Sequence, residues 1–356
     1  MSKFRPFLLP FALIHGALPI FGCSVAYVAP PQPNSLDRDT AAADCADTAC
    51  LPNDSAETTD SAEPTDDSAV ETVTPACTDY AEPAQTGTVV DADLNEISGI
   101  AASHKNPGVL WVLEGHLAPN GVVAIDTAGN TLGRVVLDGA INNDWEDLAV
   151  GPCGDDKCLF VGEIGDNNLV RPWHGVYRFS EPVVDLGGGL DLLVTAELFE
   201  YVFPDGTYNV EAMAILPDGR PVLFTKEYDT DLSTAYSFPS LDTSQVAVLT
   251  RHGRFATGDA AEGEIEGGAA AVTGASLWED GAALLLRTYG HVWKFGLESP
   301  DTAGLDLLEF SERVELQTGA ERQGESISYD PNSGGFFTIS EDINPPVWFN
   351  ACDDGA

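Results

Sequence analysis

The stretch Trp145-Glu146-Asp147-Leu148-Ala149-Val150 has four counterparts in the chain: Ile97-Ser98-Gly99-Ile100, Val210-Glu211-Ala212-Met213-Ala214-Ile215, Val272-Thr273-Gly274-Ala275 and Gly324-Glu325-Ser326-Ile327-Ser328. They recur at intervals of about 50–65 residues, the period of an internal structural repeat. Each leads into a more hydrophobic run, at 109–113, 159–162, 222–225, 283–286 and 336–340, and then a third, at 122–126, 175–179, 235–238, 291–295 and 347–350. Fourth runs follow in the first four units, at 134–137, 198–203, 246–249 and 307–310. The runs are short, rich in Val, Ile, Leu, Phe and Tyr, and separated by Gly, Asp, Asn and Pro, with no long helical periodicity, so the domain reads as all-β. Repetition at this scale points to a five-bladed β-propeller. The fifth unit lacks a fourth strand, and a spare run at 86–91 is placed to supply it and close the ring. A sixth blade would have to lie in the acidic stretch 259–266.

In a propeller the start of the innermost strand and the end of the second strand of each blade open on one face. Ser98, Glu146, Glu211, Thr273 and Glu325 occupy the first position and would converge on the axis. Three carboxylates in a narrow channel are costly unless a cation neutralises them or protons are retained. An all-oxygen set with no thiol or imidazole suits a hard cation, and its adaptable geometry suits calcium. The alternative is that these residues cap strands in a solvated channel. The second position carries Glu114, Glu163, Lys226, Arg287 and Glu341. Lys226 and Arg287 could bind phosphate, sulfate or carboxylate oxygens, or could pair with acids such as Glu227 and Glu266. Glu114, Glu163, Glu341 and His116 are the candidates for acid–base chemistry. The run from Glu163 to Asn168 offers oxygen ligands for a second cation and equally good turn chemistry. Trp145, Trp173, Tyr289 and Trp293 could form a stacking platform or pack between blades.

The order Ser, Glu, Glu, hydroxyl, Glu at the blade starts resembles the five-bladed calcium-activated nucleotidases, or apyrases. The segment 145–150 is similar to that family's Glu-Trp-Leu-Ala-Val segment, followed here by Leu159-Phe160-Val161-Gly162, and Glu211-Ala212 and Glu325-Ser326-Ile327 stand at its later Glu-led strand starts. The resemblance implies a central calcium on the first set and basic residues facing a nucleotide. The family's acidic, Arg-containing segment after the first blade's second strand is replaced by Glu114-Gly115-His116.

The first 22 residues read as a lipoprotein signal peptide: Lys3 and Arg5 precede an apolar run that ends in Ile20-Phe21-Gly22-Cys23. Cys23 resembles the acylated cysteine of a lipobox, and Ser24 fits transfer to the outer membrane, facing periplasm or surface. An ordinary secretory signal is the alternative. Residues 23–82 read as an acidic disordered tether, whose composition cannot bury enough apolar surface to fold, and 83–356 as the propeller. Seven cysteines in an exported chain allow one anchor and three disulfides: Cys45 with Cys50, Cys153 with Cys158, and Cys77 with Cys352 across the seam. Free thiols are the alternative. A net charge of −41 argues against nucleic acid, and the lipid anchor is the expected membrane contact. The chain is expected to be a monomer with a small-molecule, glycan or protein ligand at the channel mouth. Two functions follow: a calcium-stabilised binding module, or a calcium-dependent hydrolase of phosphoanhydrides or phosphoesters. Facing carboxylates also admit glycoside cleavage.

Overall fold

In the computed structural model, which describes residues 76–115, 118–258 and 268–353, the apolar runs form five sheets in which the blade strands pair antiparallel. Neighbouring side chains on a strand point to opposite faces, and here both faces are covered, so the strands are apolar throughout. In Val109–Glu114, Trp111 and Leu113 pack against the blade that follows, while Leu110 and Val112 pack against the last blade of the ring. Five such apolar layers, one between each pair of neighbouring blades, make up the core.

The first blade comprises Ile97–Ala102, Val109–Glu114, Gly121–Asp126 and Thr131–Leu137; the second, Trp145–Cys153, Asp156–Glu163, His174–Ser180 and Glu197–Val202. The third is Val210–Ile215, Pro221–Thr225, Leu232–Ser237 and Thr250–Ala256, and the fourth Val272–Leu277, Ala283–Thr288, Val292–Gly296 and Arg313–Leu316. The fifth has Gly324–Tyr329, Phe336–Ser340 and Pro346–Asn350, and Ala84–Thr88 completes it, pairing antiparallel with Pro346–Asn350. The N-terminal strand therefore closes the ring, as expected. Cys77 and Cys352 are joined beside it, and Cys153 and Cys158 clamp the first hairpin of the second blade. Ahead of the expected domain start at 83, Tyr80 bridges to Cys352 and sets its ring edge-on to Phe336 at 5.0 Å. Cys23, Cys45 and Cys50 lie outside the described residues.

Two outer strands depart from expectation. Residues 246–249 do not form the third blade's edge: Ala247–Val248 reaches back to pair in parallel with Glu197–Val202 of the second. The third blade's outer strand is Thr250–Ala256, in which Arg251, His252 and Arg254 obscure the β pattern. Residues 307–310 overlap a 3₁₀ turn, Leu308–Phe310, after a one-turn helix, Thr302–Asp306. Leu305 and Leu308 enter the core of the third and fourth blades, which is why that segment is apolar without being a strand. Leu190–Val194, between the third and fourth strands of the second blade, likewise extends the first blade in parallel. In three successive blades the connection to the outer strand thus reaches back to the preceding blade.

Candidate functional site

Each innermost strand carries a β-bulge near its start, and the five bulged residues are Ser98, Glu146, Glu211, Thr273 and Glu325. Ile97 and Gly99 pair with the adjacent residues Glu114 and Leu113, leaving Ser98 over. The same two-against-one register recurs at the starts of the other four blades. A bulge interrupts the alternation of side chains and re-aims the extra residue, which is how a polar residue stands at the head of an apolar strand. Behind the bulges the innermost strands approach so closely that a Cβ on Gly99 would lie 2.8 Å from the backbone nitrogen of Leu148.

At this level the second blade has Asp147, which is fully buried. One carboxylate oxygen accepts from the Leu148 amide at 2.8 Å, and the other from Met213 at 2.8 Å and Ala275 at 3.3 Å. Burial pushes its carboxyl up while these amides pull it back. Asp147 thereby ties the second, third and fourth blades together at the axis. In the sequence it sits inside an apolar strand, and its signal is a lone charge at a position that is Gly, Ala or Ser in the other four units.

Ser98, Glu146, Glu211 and Glu325 line one cavity of about 670 Å³ at the mouth, with Asp144, Asp166, Arg171, Trp173, Lys226, Tyr228, Tyr289 and Glu341. Thr273 does not: its hydroxyl is turned into the wall, donating to the Gly324 carbonyl at 2.8 Å. Of the four candidate stacking residues, Trp173 and Tyr289 reach the cavity. Trp145 and Trp293 are buried between blades.

The second set does not form a ring. Glu114 and Glu163 are the direct partners of Ile97 and Trp145, and the equivalent partners in the other blades are Thr225, Thr288 and Ser340. Lys226 and Glu341 stand one residue beyond that register and Arg287 one residue before it, so they leave the sheet in different directions. Glu114 accepts from the Asn95 amide at 2.5 Å and lines a different cavity, on the first blade. Glu163, fully buried, pairs with Arg171 and accepts from the Asn143 amide. Arg287 is buried against Glu321 at 3.0 Å, its guanidinium lying on Gly324 where a Cβ would overlap it. Lys226 donates to Glu211 and, at 2.6 Å, to the Tyr289 hydroxyl. Both cations are therefore paired with acids, but not with the expected ones: Glu227 is held by Arg254 at 2.6 Å, and Glu266 lies outside the described residues, as does His116. The loop after Glu163 is a turn built on Asp166, whose carboxylate accepts from the Val170 and Arg171 amides.

The mouth holds more acid than its cations neutralise. Burial, then the charges of Glu211 and Asp144, raise Glu146 well above the usual carboxylate range. Burial raises Glu211 despite the pull of Lys226. Burial and the Glu211 charge push Glu325 up to about 9, also against Lys226, and a hydrogen bond with Glu341 adds to the rise. Gln323 bridges the two, donating to Glu325 at 2.7 Å and to Glu341. Lys226 is held above the ordinary lysine value: burial works against its charge, and Glu211, Tyr289 and Glu325 outweigh it.

Elsewhere Ser237, His252 and Asp306 form a hydrogen-bonded chain, with 2.8 Å on either side of the imidazole. The order matches that of serine hydrolases, but the exposure is reversed. Ser237 is 1% exposed and the Asp306 side chain 61%, so the hydroxyl has no access to substrate.

The oxygen donors of the mouth suit a hard cation in kind, but their arrangement does not suit one held by all five bulge residues. Thr273 is turned away, Glu211 is taken by an ammonium, and among the described residues no three His, Cys, Asp or Glu side chains come close enough together to share a metal ion.

No family model matches the sequence. No curated protein matches it either. Among solved structures, one of a putative oxidoreductase (glucose dehydrogenase) from Thermus thermophilus aligns with 76% of this chain and 100% of its own, at 10% identity and a TM-score of 0.40. What is established for this chain is therefore its architecture: it is a five-bladed β-propeller closed by its N-terminal strand.

Proposed function

We propose that the propeller is a binding module whose ligand enters the cavity at the bulged mouth. The observation that carries this reading is that the basic residues at and beneath the mouth, Lys226, Arg171 and Arg287, are each paired with a carboxylate of the protein. A phosphoryl-transfer site needs cations free to take up charge on the substrate. The remaining surface of acids, amides, Trp173, Tyr228 and Tyr289 suits a ligand that donates hydrogen bonds or carries positive charge, such as a glycan or a peptide. The exposed Val170 at the rim adds apolar contact. The lipobox and acidic segment support display from an outer membrane on a lipid anchor at Cys23. The direct test is to titrate the full chain with glycan and basic-peptide panels by calorimetry. Saturable binding that weakens about tenfold in Trp173→Ala, with no turnover, is expected. Binding unaffected by Trp173→Ala places the ligand elsewhere.

A second reading, hydrolysis, draws on one observation: Glu325 and Glu341 are bridged by the side-chain amide of Gln323 at the cavity, where burial pushes the Glu325 carboxyl up to about 9. Such a pair could donate and recover a proton. The likeness of the blade starts to apyrases supports a phosphorylated substrate, and the paired cations oppose it. Turnover of any phosphoester or glycoside that is lost in Glu325→Gln would decide for the enzyme.

A further inference from the structure

We infer that the ε-ammonium of Lys226 is the resident cation of the carboxylate ring, standing where a calcium ion was expected. The inference is independent of whether the mouth binds or hydrolyses its ligand.

Lys226 follows directly on the second strand of the third blade, where its amide donates to the Asn209 carbonyl at 2.9 Å. That fixes the point from which the side chain enters the ring, and the side chain is 3% exposed. Its ammonium donates to Glu211, a bulge residue of its own blade, and to the Tyr289 hydroxyl, contributed by the fourth blade, at 2.6 Å. It lies 4.5 Å from the ring centre of Tyr289 and 5.1 Å from that of Tyr228. The two phenols are joined by a hydrogen bond of 3.0 Å. One carboxylate, one phenol oxygen and the neighbouring ring of Tyr228 surround the ammonium.

Calcium needs a different shell, roughly six to eight oxygens at about 2.3–2.6 Å. The bulge residues cannot supply it while Glu211 is engaged by Lys226 and Thr273 donates to Gly324. Nor could an ion share Glu211 with the ammonium cheaply, since two cations on one buried carboxylate repel. A single positive charge covalently attached to the third blade thus serves the acids of the mouth, Glu211 by direct contact and Glu146 and Glu325 through space. Its presence does not depend on the calcium concentration outside.

The test uses the full chain, with calcium chloride as the probe, in calorimetric titration and thermal unfolding. For the unsubstituted protein the expected result is no stoichiometric heat and a Tm the same in calcium as in chelator. Lys226→Met removes the ammonium while keeping an apolar stem. It should leave the ring acids without their counter-charge, seen as a Tm that falls at neutral pH and recovers toward pH 5, equally in calcium and in chelator. Adding Glu211→Gln should restore part of that loss. The inference is overturned if the unsubstituted chain takes up one calcium per molecule with a Tm rise reversed by chelator, a result that stands even if Lys226→Met fails to fold. It is equally overturned if Lys226→Met folds with the Tm and the pH dependence of the parent.

Discussion

The two sets of polar residues at the mouth look alike when counted along the chain, and they differ in what fixes them. Ser98, Glu146, Glu211, Thr273 and Glu325 all fall on the same feature, a bulge repeated in every blade. Glu114, Glu163, Lys226, Arg287 and Glu341 fall on three different registers, and each has a separate partner. A position set by backbone pairing repeats when the pairing repeats. A position set by where a strand ends does not, because the first loop residue can fall on either face. The first set accordingly converges on the cavity at four of five positions, and the second sends only Lys226 and Glu341 there.

The largest effect that would sharpen this contrast is at Arg287. If it belongs to the scaffold, Arg287→Ala leaves Glu321 buried without its counter-charge and costs about 3–5 kcal/mol of stability, measurable by denaturant unfolding. Burial already raises the Glu321 carboxyl, with Arg287 opposing. An acid whose folded value lies above its unfolded one destabilises as pH rises above the usual carboxylate range, so the deficit should shrink in acid. A variant that folds as well as the parent would show that Arg287 is available for ligand after all.

The seam comes next. The bond between Cys77 and Cys352 spans a separation of 275 residues and fastens the chain beside the one strand of the fifth blade that comes from the other end of the sequence. Replacing both by Ser should cost about 2–4 kcal/mol. It should also raise amide exchange first in Ala84–Thr88 rather than around the bulges. The Cys153–Cys158 bond closes a hairpin whose strands are already paired in register, and its removal should be felt less and only locally.

How much of this was legible in the sequence follows from the same distinction. Blade count, closure and the bulge residues were readable because apolar runs and turns repeat. Segments 246–249 and 307–310 were misread because apolar character marks burial and not strand: one reaches to a neighbouring blade and the other packs as a short helical turn. The pairing of Lys226 with Glu211, and of Arg287 with Glu321, depends on which way side chains leave a strand end, and single-residue offsets in loops carry no pattern to read. Asp147 was invisible for a further reason, since its partners are backbone amides on three blades.

A smaller effect separates the acids of the ring from those of the surface. Glu325 titrates near 9 in the folded state and in the ordinary glutamate range when unfolded. Between those values the native chain holds a proton that the unfolded chain has released, so stability falls as pH rises through this window. Glu146 and Glu211 are shifted in the same direction. Thermal unfolding followed from about pH 5 to 9 should show a declining Tm, and Glu325→Gln should flatten part of the decline. An unchanged slope would mean that Glu325 is ionised at neutral pH and that its charge is balanced by something other than a proton.

The smallest effects lie within the bulge set itself. Thr273 is buried and its hydroxyl satisfies the Gly324 carbonyl, so Thr273→Ala leaves that acceptor without a partner and should cost roughly 1–2 kcal/mol. Ser98 is half-buried at the cavity, and its closest hydrogen bond is a long one of 3.5 Å to the Glu96 carbonyl. Ser98→Ala should fall within about 0.5 kcal/mol of the parent. The pair distinguishes two kinds of ring. If five oxygens served one ion, both substitutions would weaken the same calcium affinity and the unsubstituted protein would be the more stable for having calcium. If the bulge merely delivers each residue to the mouth and the blade decides its use, Thr273→Ala will unfold earlier, Ser98→Ala will not, and neither will respond to calcium.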